Sequence, residues 1–93
     1  MEKRAHIIVS GRVQLVMYRD FARRKANRFK LTGWVKNLKD NTVEIVAEGR
    51  KERLLEYIEA LKKGPILAEV ENVDVKWWDG VTGEFKYFEI LHD

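Results

Sequence analysis

The chain has 93 residues, with 18 Lys or Arg, 15 Asp or Glu and no cysteine, enough for one domain with a single core over residues 1–93, and excluding disulfides, thiolate metal sites and a cysteine nucleophile. Residues 1 to 38 carry ten basic side chains against Glu2 and Asp20, whereas residues 39 to 93 carry eight against thirteen acids, so the first half favours an anionic partner. Met1-Glu2-Lys3-Arg4 precedes no long apolar run, and no later stretch reaches the length of a membrane span; the expected setting is cytoplasmic, with no membrane partner.

The first predicted strand is residues 5 to 10, because His6-Ile7-Ile8-Val9 is β-branched and too short for a helix. Ala5, Ile7 and Val9 share one face of it and His6, Ile8 and Ser10 the other. Gly11-Arg12-Val13-Gln14-Leu15-Val16-Met17-Tyr18-Arg19 follows and leads into helical periodicity. An abrupt strand-to-helix turn leaves backbone N–H groups without partners. With the positive end of the helix dipole and the fork-shaped guanidinium of Arg19, those donors form a seat for phosphate. On this stretch alone, an ordinary turn with a solvated arginine stands as the alternative.

Tyr18, Phe21, Ala22, Ala26 and Phe29 recur at three and four, which predicts a helix over residues 18 to 29 whose other face carries Arg23, Arg24, Lys25 and Arg28. Lys30-Leu31-Thr32-Gly33 ends it. Residues 34 to 38 and 42 to 48 form a predicted hairpin about the turn Lys39-Asp40-Asn41-Thr42, with Val43, Ile45 and Ala47 on one face and Thr42, Glu44, Val46 and Glu48 on the other. Leu54, Leu55, Ile58 and Leu61 mark a second helix over residues 51 to 63, which Gly64-Pro65 stops. Residues 70 to 77 alternate as a strand, Asp79-Gly80-Val81-Thr82-Gly83 turns the chain, and residues 85 to 91 close it. His6 reads as an exposed strand residue and His92 as part of a mobile terminus, with no metal-site spacing between them.

The order β-α-β-β-α-β with a further strand predicts an α+β, ferredoxin-like (split βαβ) fold: an antiparallel sheet with both helices on one face.

At this point the residues resemble the acylphosphatase family. The resemblance lies in Gly11 to Arg19 as quoted, Ala26, Gly33-Trp34-Val35-Lys36-Asn37, Asp40-Asn41-Thr42-Val43-Glu44, Gly49 and Gly64-Pro65. It implies hydrolysis of a small-molecule acyl phosphate to a carboxylate and inorganic phosphate, without metal or other cofactor. It also implies that the backbone of Gln14, Leu15, Val16, Met17 and Tyr18 wraps the phosphate, that Arg19 holds it bidentately and that Asn37 positions the attacking water. Inorganic phosphate or sulfate is then the expected site anion, and a monomer the expected state.

The chain departs from the family at Leu15, where the family has glycine. Either the loop needs φ > 0 there and leucine strains it by about 1–3 kcal/mol, or the angle is ordinary and only crowding by the side chain matters. Activity below that of a glycine-containing relative is the expectation, raised by Leu15→Gly. Asn41, where the family usually has glycine, is milder because asparagine tolerates the left-handed region. Two other readings compete: an anion-binding relative without turnover, and an RNA-recognition module of the same topology. The latter requires base-stacking aromatics on a central strand, and Thr42-Val43-Glu44-Ile45-Val46-Ala47-Glu48 has none.

Overall fold

The computed structural model of the chain describes residues 1–92. Its elements are β1 (Glu2–Arg12), α1 (Tyr18–Arg28), β2 (Thr32–Asn37), β3 (Val43–Arg50), α2 (Lys51–Lys63), β4 (Glu69–Asp79) and β5 (Phe88–Ile90). The strands form one sheet in the order β4-β1-β3-β2-β5. The ferredoxin-like class holds, with one refinement: β5 joins β2 in parallel, so the sheet is mixed.

Strand direction places the site. β3 runs antiparallel to both β1 and β2, so β1 and β2 point the same way, and β5 points with them. The chain leaving β1 at Arg12, the last residue of β2, Asn37, and the chain leaving β5 at Ile90 therefore reach the same end of the sheet. β1 and β2 are not neighbours, because β3 lies between them.

Alternation puts Ala5, Ile7 and Val9 of β1 against Val43, Ile45 and Ala47 of β3 on the helix side, all fully buried. α1 adds Tyr18, Phe21, Ala22 and Ala26, and α2 adds Leu54, Tyr57, Ile58 and Leu61. The helices are also tied polar-to-backbone. Tyr18 in α1 donates its hydroxyl to the Leu61 carbonyl (2.7 Å), and Tyr57 in α2 donates to the Ala22 carbonyl (3.0 Å).

The expected strand over residues 85 to 91 shortens to Phe88–Ile90, because the preceding segment is held on the helix-free face. There Thr82 donates from its backbone N–H (3.0 Å) and hydroxyl (2.9 Å) to Glu48, a buried acid, while Arg4 pairs with Glu84 at 2.9 Å. Val46 points to this face as expected but is buried, in a hollow that it shares with Trp78, Val81 and Thr82.

Candidate active site

β1 ends on an irregularity. Its register against β4 shifts between Ser10 and Gly11, and Gly11 sits at φ 117 with the Glu69 carbonyl so close that a Cβ there would meet it at 2.2 Å. Only glycine fits. Beyond it, Leu15 has φ 62 and Met17 φ 60, while Gln14 and Val16 keep negative φ. The sign of φ thus alternates from Gln14 to Met17, the alternation from which a backbone nest that suits an anion is built.

Met17 also occupies the N-cap of α1, where it makes no side-chain capping bond. Ser, Thr, Asp or Asn there would satisfy first-turn donors; methionine leaves them available. The first bond of this turn runs from the Phe21 N–H to the Met17 carbonyl. Among the described residues, no protein group accepts from the N–H groups of Leu15 through Asp20. Asp20, an acid beside this positive helix end, is neutralised by Arg23 and Arg24, each at 2.9 Å, and hydrogen bonding from Arg23 first holds its carboxyl below the usual range.

A cavity of about 320 Å³ opens over the loop, lined by Val13, Leu15, Met17, Tyr18, Arg19, Asp20, Asn37, Ile90 and His92. Arg19 and Asn37 thus share one cavity although 18 positions separate them in sequence. The Asn37 Oδ1 is buried with no hydrogen-bond partner among the described residues, where buried polar atoms as a rule have one. Arg19 Nη1 donates to the Leu91 carbonyl at 3.2 Å and lies 3.3 Å from His92 Nδ1.

Two loop residues turn away from the cavity. Val16 packs against the core, and the Gln14 side chain donates to the Leu38 (2.8 Å) and Thr42 (2.9 Å) carbonyls. Gln14 thereby fastens the loop to the β2–β3 turn, directly after Asn37. Tyr18 contributes a cavity wall, while its hydroxyl is spent on α2.

Ile90 and His92 were missed by sequence reasoning, which set His92 aside as terminal. The parallel β2–β5 pairing carries them to the cavity, anchored by the Leu91 N–H bond to the Val35 carbonyl (2.8 Å). Among the described residues, no group of three or more His, Asp or Glu is placed to hold a metal ion, and no helix is long and apolar enough to cross a membrane.

A family model for acylphosphatase matches residues 5–90 of the chain. The chain belongs to the acylphosphatase family. It is similar to an acylphosphatase of Methylococcus capsulatus, 50% identical over 91 residues and covering 98% of each chain. An acylphosphatase of Thermus thermophilus is 53% identical over 82 residues, 86% of this chain and 93% of that one. Among solved structures, the acylphosphatase of Bacillus subtilis superposes with a TM-score of 0.92 at 39% identity, covering 96% of this chain and 98% of that chain. Agreement over nearly full length with members of this hydrolase family makes the chain an enzyme of the acylphosphatase class.

Proposed function

We propose that the chain, acting as a single cytoplasmic domain, hydrolyses a small-molecule acyl phosphate to a carboxylate and inorganic phosphate without a metal or cofactor. The observation that carries this reading is the convergence of the Leu15–Met17 nest, Arg19 and Asn37 on one cavity. The backbone N–H groups of the loop and the Arg19 guanidinium hold the three phosphoryl oxygens, the guanidinium bidentately. The Asn37 side-chain amide holds the attacking water and aims its oxygen at phosphorus.

Water then attacks in line, the bond between phosphorus and the acyl oxygen breaks, and its electron pair leaves on the carboxylate. The conjugate acid of that carboxylate has a pKa of about 4, so it departs without a proton. A phosphate oxygen of the substrate takes the water's proton. Nothing else is required but positioning and charge stabilisation, which suits a cavity whose polar lining side chains are Arg19, Asn37, Asp20 and His92.

The test is hydrolysis of acetyl and benzoyl phosphate with chelator present. The wild type turns both over, and Arg19→Ala lowers kcat/KM by about 10²–10³-fold, as expected for loss of one electrostatic stabiliser. Phosphate binding without turnover would instead identify an anion-binding relative.

A further inference from the structure

The cavity is lined by two kinds of side chain, the polar Arg19, Asp20, Asn37 and His92 and the apolar Val13, Leu15, Met17 and Ile90. Leu15 is 100% exposed and Met17 74% exposed, although both belong to the loop that cradles the phosphate. The left-handed backbone at these two positions brings both side chains to the mouth, whereas Val16 between them packs inward. A leucine at φ 62 is unfavourable to the backbone, and its full exposure is unfavourable to the side chain. Both liabilities sit where a phosphate-bound substrate must leave the cradle.

We propose that Leu15 and Met17 form an apolar lip that grips the acyl group, so that the enzyme selects acyl phosphates with extended apolar chains over acetyl phosphate. This rests on the phosphate site proposed above. Connectivity limits the occupant of the lip: with the phosphorus held by the nest and Arg19, the acyl carbon is joined to it through one bridging oxygen and its chain emerges at the mouth. Leu15 is the specificity-determining residue, acting through its side chain, while its N–H serves the phosphate.

Alkyl monophosphates test the lip without turnover, because they place a chain on a phosphate oxygen as the substrate does. Dissociation constants of inorganic, methyl, butyl and hexyl phosphate are measured by calorimetry on the wild type, Leu15→Asn and Leu15→Met. One-sided contact should tighten wild-type binding about twofold per methylene, against about fourfold for full burial. Leu15→Asn, polar and tolerant of the left-handed backbone, should flatten that dependence, and Leu15→Met should preserve it. Leu15→Ala is the second truncation should the asparagine variant fail to fold. A flat series in the wild type, or an equal slope in Leu15→Asn or Leu15→Ala, overturns the lip and leaves the phosphate site standing. Failure of every compound to bind, inorganic phosphate included, overturns the phosphate site and the lip with it.

Discussion

Leu15 decides a question that its neighbours could not. Reading the residues leaves two options for this position, a left-handed backbone or a crowded ordinary one, because the sign of φ depends on how the loop closes between a bulged strand and an uncapped helix. The loop closes with φ 62 and a fully exposed side chain, so the penalty is strain and not crowding. The left-handed region costs a leucine about 1–2 kcal/mol, and glycine returns about 0.5–1 kcal/mol of that through the freer unfolded chain. Leu15→Gly should therefore stabilise by about 0.5 kcal/mol, raising Tm by about 2–4 °C in a domain of this size; a lower Tm in thermal unfolding would contradict the strain. Arg19 and Asn37 were legible as residues. His92 was not, because its place depends on a three-residue strand choosing a parallel partner, which no local pattern records.

The elements were legible where periodicity was long. Both helices and the β2–β3 hairpin lie close to their predicted bounds, and Asn41 takes φ 71 as its turn requires. Invisible in the pattern is the way Tyr18 and Tyr57 exchange hydroxyl bonds across α1 and α2. Tyr18→Phe deprives the Leu61 carbonyl, an end-of-helix acceptor, of its donor and should cost about 1–2 kcal/mol in urea unfolding; full stability in this variant would show that the bond is dispensable. Burial pushes both phenols above their ordinary value of 10.0, with Tyr18 adding to the rise at Tyr57. The folded state therefore keeps protons that the unfolded state releases, so this stability is intact below about pH 10 and falls as pH rises beyond it. The alkaline loss should be shallower in Tyr18→Phe and Tyr57→Phe than in the wild type, and an unchanged slope would contradict the burial of the phenols.

On the scale of the whole molecule, β3 presents Glu44 and the buried Val46 and Glu48, and no aromatic, on the helix-free face, beneath the segment that carries Thr82. The sheet's long outer strand, β4, bears Glu69, Glu71, Asp74, Lys76 and Asp79, charges that discourage edge-to-edge pairing. A monomer across the micromolar range is the expected result of sedimentation, and a concentration-dependent dimer would contradict it. The molecule's main device is that three strand ends, β1, β2 and β5, meet on one side, so that the Leu15–Met17 loop, the Arg19 guanidinium and the Asn37 carboxamide share a cavity. The most direct measurement is phosphate affinity and kcat on the same Asn37→Ala and Arg19→Ala preparations. Asn37→Ala should bind inorganic phosphate within about threefold of the wild type while kcat falls about 10²–10³-fold, and Arg19→Ala should lose at least about tenfold in phosphate affinity. Undiminished kcat in Asn37→Ala, or equal losses of phosphate affinity in both variants, would contradict the division between holding the phosphate and aiming the water.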